Sequence, residues 1–177
     1  MTLEIVIADP SLVVLIGAAG VGKSTFASRH FAPDEILSSD RFRAMVSGDE
    51  TDQAATGAAF GRLHRELARR LTNGRLTVVD ATSLEPSARR SLLARATAAG
   101  LQASAIVLDL PATTVLARNA ARLPRVVEEA IVRRHLDRLR ASLDGPDPPL
   151  WREGFVQVVV LRDPADIDLV RIRRRPT

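Results

Sequence analysis

The sequence predicts an α/β fold, a parallel sheet of about five strands with helices on both faces. Five short apolar runs recur along the 177 residues. Several are continuous rather than alternating, the mark of strands covered on both faces. Helical stretches fall between them, and strands that alternate with helices pair in parallel. In order, the strands are 12–16, 35–38, 76–79, 103–110 and 155–161, with 3–8 as an extra edge strand. A helix over 23–30 follows the first strand. The helix over 54–71 has apolar residues at helical spacing and stops at Asn73-Gly74. The helix over 86–99 opens on Pro86 and closes at Gly100, the expected asymmetry. Helices over 113–121 and 128–143 complete the series, and 144–149 is a loop rich in Pro, Gly and Asp. Residues 1–177 read as a single domain without internal repeats.

Hydrophobic residues make up 46% and charged residues 26%, which excludes a disordered tail, a fibre and a membrane protein. The longest apolar stretch, 12–22, ends at Lys23 and is too short to span a bilayer. The N-terminus lacks the basic start of a secretory signal, so a cytoplasmic protein is expected. With no cysteine, disulfides, thiolate metal sites and cysteine nucleophiles are excluded. The net charge is +4, yet Arg171, Arg173, Arg174 and Arg175 carry the excess and residues 1–170 are neutral. Bulk charge therefore decides nothing about nucleic acid. Aromatic residues at 3% give no support to a base-stacking platform. Of 25 basic residues 24 are arginine, and the one lysine is Lys23.

Lys23 lies inside Gly17-Ala18-Ala19-Gly20-Val21-Gly22-Lys23-Ser24, which fits G-x-x-x-x-G-K-[ST] between a strand and a helix. In such a loop backbone N–H groups cradle phosphate oxygens, the lysine reaches the β- and γ-phosphates, and the serine hydroxyl meets Mg²⁺. The strand over 76–79 runs into Asp80, which is either a second Mg²⁺ ligand or a turn residue capping the region from Thr82 to Pro86. Asp40, in Ser38-Ser39-Asp40-Arg41-Phe42-Arg43, sits where ligands gather in a doubly wound sheet. It is either a base for an attacking hydroxyl or the N-cap of a helix from Arg41. Arg118 and Arg122 share a helix face, and with Arg125 they surround the break at Pro124. They form either a helical lid over 113–143, neutralising a transferring phosphoryl group, or a solvated basic face. Arg133, Arg134, Arg138 and Arg140 read as surface partners of Glu129 and Asp137. His30, His64 and His135 read as isolated surface or core residues, and Trp151 and Phe155 as packing under the loop.

Together these residues resemble the kinase domain of bacterial polynucleotide kinase/phosphatase. The resemblance runs from about Leu12 to Val170. It rests on the phosphate loop with Thr25 and Phe26, and on Ser38-Ser39-Asp40 with Arg43. It continues in the stretch from Val46 to Thr56 that holds Asp52-Gln53-x-x-Thr56. Leu76 to Thr82, Arg118-Asn119 and Glu153-Gly154-Phe155 complete it. The family moves the γ-phosphate of ATP to a 5′-hydroxyl of RNA or DNA, using Mg²⁺. The resemblance implies Lys23, Ser24 and Thr25 on the phosphates and metal, Asp40 as general base, and Arg43 with Gln53 on the acceptor end. It also implies Arg118, Arg122 and Arg125 as lid arginines, and Asp163-Pro164 beside the adenine. The family often has an acidic residue before the second lid arginine, where this chain has Leu123-Pro124. Its best-known members continue into phosphatase and ligase-like domains, so this chain is either a standalone kinase or one domain of a repair enzyme. A homodimer stays open. The rivals are a kinase of a small hydroxyl compound, such as a sugar or an antibiotic, and a nucleotide-binding module without turnover.

Overall fold

The computed structural model of the chain describes residues 3–48, 56–123 and 125–177. Gln53, and most of the stretch from Val46 to Thr56 that carries part of the resemblance, lies outside the described residues, as does Pro124. The strands are β1 (Glu4–Asp9), β2 (Leu12–Ile16), β3 (Ile36–Ser38), β4 (Thr77–Asp80), β5 (Ala103–Leu108), β6 (Gln157–Leu161) and β7 (Arg171–Pro176). The α-helices are α1 (Lys23–His30), α2 (Ser39–Ser47), α3 (Thr56–Thr72), α4 (Pro86–Ala98), α5 (Ala112–Ala120), α6 (Glu129–Leu143) and α7 (Pro164–Leu169).

Five strands form one parallel sheet in the order β3-β4-β2-β5-β6. All five residues of β2 are fully buried, as its unbroken apolar run requires. The strand period of two sorts them onto two faces. Val13 and Leu15 pack with Phe26, Ala27 and Phe31, while Leu12, Val14 and Ile16 pack with Leu63, Leu67, Leu71, Leu92 and Ala96. Each of the valine, leucine, isoleucine and phenylalanine side chains among them contributes roughly 1.5–3 kcal/mol on leaving water. The helix stops are the expected ones. Gly74 turns left-handed (φ 62°) and its N–H closes on the Leu71 carbonyl, and Pro86 opens α4.

Three features differ from expectation. The 3–8 strand is not an edge of the main sheet. It pairs in parallel with β7, from Glu4 against Arg171 to Asp9 against Pro176. Ile5 and Ile7 turn inward onto the α1 side of the core, and β7 satisfies the backbone groups that this leaves open. The arginine-rich end is therefore a strand. Arg174 is tied to both carboxylate oxygens of Glu35 at 2.7 and 2.8 Å, and Arg173 to Glu4. Finally, α7 adds a short helix after β6, and α2 starts at Ser39, directly after β3, rather than at Arg41. No helix among the described residues is long and apolar enough to cross a membrane.

Candidate active site

Residues 17–24 join β2 to α1 at the carboxyl edge of the sheet. A Cβ on Gly17 would lie 2.9 Å from the Leu108 carbonyl oxygen of β5, so only glycine lets the loop pass there. Gly20 turns left-handed (φ 83°) with Asn119 against it. Gly22 caps α1 without a side chain, which leaves the first amide N–H groups of the helix open to an anion. Lys23 is only 8% exposed, and its Nζ donates to the Gly17 and Ala18 carbonyls, both at 2.9 Å. Burial lowers its pKa to about 8; Asp80 and Asp40 pull it back up, and the Arg122 charge pushes it down.

Asp80 ends β4 one strand away and is buried. Burial raises its pKa, against the Ser24 hydroxyl that hydrogen-bonds it and the Lys23 charge. Ser24 and Asp80, the two expected metal ligands, thus meet. A hydroxyl and a carboxylate are hard oxygen donors, and Mg²⁺ asks for only one or two of them beside phosphates and waters. Among the described residues no cluster of three or more His, Cys, Asp or Glu could hold a metal alone. The residues present fit Mg²⁺.

Asp40 stands in the first turn of α2, close enough to Lys23 and Asp80 to act on both electrostatically. One carboxylate oxygen pairs with Arg43 and the other with Arg125 at 3.7 Å. Its reading as an N-cap is corrected: Ser38 is the cap, and its Oγ accepts from the Arg41 N–H at 3.5 Å. Arg118 donates to the Val21 carbonyl at 3.0 Å, and Arg122 acts on both Lys23 and Asp80. Arg118 therefore turns to the loop and Arg125 to Asp40, while Arg122 lies near enough for its charge to act on Lys23 and Asp80. Thr25 is exposed on α1 beside Ser24. Asp163 is the N-cap of α7, with Oδ1 accepting from the Ala165 N–H at 2.8 Å, and Pro164 opens that helix. Both residues sit just past the end of β6, two strands from β2.

Three further residues take roles that were not foreseen. His135 on α6 is no isolated residue: its Nδ1 accepts from the Ala19 N–H of the loop at 3.3 Å. Burial lowers its pKa to about 4, helped by the Lys23, Arg138 and Arg134 charges, so it is a neutral acceptor there. Asn119 is buried and clasps the bend between α5 and α6, with Nδ2 on the Val127 carbonyl at 2.7 Å and Oδ1 receiving the Val127 N–H at 3.1 Å. Arg89 is fully buried and bonds both Glu153 oxygens at 2.6 Å, the Ser83 and Leu84 carbonyls at 2.9 and 2.7 Å, and Ser142 Oγ at 3.2 Å. It thereby holds the turn after Asp80, where Ser83 takes a left-handed conformation (φ 49°). Of these, Asn119 belongs to the Arg118-Asn119 pair on which the resemblance partly rests, and Arg89 shows as an arginine in register with the core positions Leu92, Leu93 and Ala96. Arg133 pairs with Glu129 as expected, but Arg138 reaches Glu85 on the far side of a cavity. Trp151 is 46% exposed, so only Phe155 packs inward as expected.

That cavity, about 450 Å³, opens beside the loop between α3, the start of α4 and α6. Phe60 and His64, Thr82 and Ser83, Ser87 and His135 line it. Two contacts join it to the phosphate loop, the Ala19–His135 bond and the Gly17 N–H on the Thr82 carbonyl at 3.1 Å.

This is the architecture of P-loop phosphate-binding proteins, with the loop on the central strand. Within that class the chain belongs to the family described as AAA domain, whose model matches residues 12–146. No curated protein matches the sequence. Among solved structures, one from the Pnkp1/Rnl/Hen1 RNA repair complex superposes with a TM-score of 0.64 at 24% identity, over 76% of this chain and 45% of that one. A sugar kinase from Janibacter gives 0.57 at 22% identity, over 89% of this chain and 90% of that one. Shikimate kinase from Acinetobacter baumannii, in complex with shikimate, gives 0.53 at 22%, over 90% and 88%. These likenesses establish a fold shared with P-loop kinases.

Proposed function

We propose that the chain is an ATP-dependent kinase that transfers the γ-phosphoryl group to the 5′-hydroxyl end of RNA or DNA. The observation that carries this is Asp40. A carboxylate bracketed by Arg43 and Arg125, within electrostatic reach of Lys23, is more than phosphate binding needs. It fits a base that takes the hydroxyl proton as the phosphoryl group arrives. The Ser-Ser-Asp-x-x-Arg stretch and the likeness to the RNA repair complex support the nucleic-acid acceptor.

In this reading the loop amides and Lys23 grip the β- and γ-phosphates. Arg118, Arg122 and Arg125 close as a lid and neutralise charge on the transferring group. Arg43 holds the acceptor end beside Asp40, Gln53 joins it, and Asp163-Pro164 borders the adenine. Ser24 and Asp80 would hold Mg²⁺, which would neutralise charge on the phosphates and help orient them. The reaction belongs to nucleic-acid end repair, alongside phosphatase and ligase activities. Incubation with labelled ATP, Mg²⁺ and a 5′-hydroxyl oligonucleotide tests it; transfer to a panel of sugars but to no oligonucleotide sinks the nucleic-acid reading. The second reading, a kinase of a small hydroxyl compound, is favoured by the half-open cavity next to the loop and by the sugar and shikimate kinase likenesses.

A further inference from the structure

Resting on the polynucleotide reading, we infer that the cavity between α3, the start of α4 and α6 receives the terminal nucleobase of the acceptor strand. Phe60 and His64 stand four residues apart on α3 and both line it, with ring centroids 6.4 Å apart. Composition gave no sign of a stacking platform, yet the fold gathers two rings on one wall. The two ring planes are tilted by 40°, so a planar base stacks on one of them and meets the other obliquely, whatever its identity, because every base has a π-face. Across the cavity, α4 offers the Ser87 and Ser91 hydroxyls, which can meet the polar edge of a base. His135 closes the third side. With its Nδ1 taken by the Ala19 N–H, the neutral ring carries its proton on Nε2 and can only donate there. The volume, about 450 Å³, lies in the range of small-molecule pockets and has room for one nucleoside. Through His135 and Thr82 this space abuts the phosphate loop itself, so a base held here leaves its own 5′-hydroxyl near the transferring group. Affinity should then depend on the first base of the strand.

The test compares two 5′-hydroxyl oligonucleotides that differ only in an abasic first residue, using the wild-type chain, Phe60→Ala and Ala88→Leu. Ala88 is half-buried on the cavity wall, so leucine there fills the space from the helix surface, and an unchanged melting temperature certifies the fold. In the wild type the abasic end should raise KM about tenfold. In each variant the KM for the base-bearing end should rise by a similar factor, so that the two ends become equivalent. Equal KM for both ends in the wild type overturns the inference, as does full discrimination retained by both variants. Phosphorylation of no oligonucleotide at all sinks the polynucleotide reading itself, whereas phosphorylation blind to the first base sinks only the cavity assignment.

Discussion

Among the described residues, Lys23 and Arg89 are the basic side chains that the fold buries, and they are buried in opposite ways. Arg89 spends all five N–H donors on protein acceptors, two of them on the Glu153 carboxylate. Lys23 has two carbonyls and no direct carboxylate partner, and its pKa falls from 10.5 to about 8. A displacement of that size means the loop holds the ammonium at a cost of about 3 kcal/mol. The fold carries that cost, and an anion in the loop would relieve it. A saturated buried charge marks architecture, and a buried charge left wanting marks a binding site.

If this contrast is real, changes around Lys23 should stop chemistry and spare the fold, and changes around Arg89 should do the reverse. The largest effect is expected at Asp40. Asp40→Asn keeps the shape and, since Ser38 is the cap, keeps the helix start. Its kcat should fall roughly a hundred- to ten-thousand-fold, with ATP binding and Tm nearly unchanged. Full turnover by this variant would remove Asp40 from the mechanism. Next is Arg89→Met, which strands Glu153 in the interior. We expect a loss of about 3–5 kcal/mol, read as a fall in Tm, and partial recovery when Glu153→Leu is added. An unshifted Tm would erase the contrast from its structural side. Lys23→Arg should lose on the order of a hundredfold in transfer while melting normally, because a planar guanidinium does not fit the nest. Near-native turnover would show the lysine to be incidental.

Smaller effects sharpen the picture. Arg122→Ala and Arg125→Ala should lower kcat or raise the KM for ATP about tenfold, with oligonucleotide affinity little changed. The opposite pattern in steady-state kinetics would move the α5–α6 arm to the acceptor side. The smallest effect is in pH. The pKa of Lys23 in the free protein is about 8, and bound phosphate raises it. Affinity for ATP is therefore complete below that value and declines as pH rises through it, by about tenfold between pH 7 and 9. Calorimetric titration across that range checks the sign. A profile that stays flat would mean the lysine is not the group that senses the phosphates.

Legibility in the sequence obeys the same division. The loop and the five strands were legible because close spacing and unbroken apolar runs are local signals. Asp80 was legible once the strand was. β7 was not, because Arg-Ile-Arg-Arg-Arg-Pro has no apolar face of its own and becomes a strand only beside β1. His135 was not, because its partner lies 116 residues away, and nothing around it hints at a loop amide. The N-cap alternative for Asp40 stayed open in the sequence because Ser38 and Asp40 are equally good capping types, and only the backbone angle at Ser38 decides between them.

The pairing of β1 with β7 ties residue 4 to residue 171. Every strand of the central sheet lies between the two in sequence, so this pair closes a long loop and is the slowest kind of contact to form. Until Pro176 is in register, Ile5 and Ile7 have a core to lie on while the backbone of β1 stays unpaired. The phosphate loop, only a few residues after β1, is thus joined to a strand that is among the last to be secured.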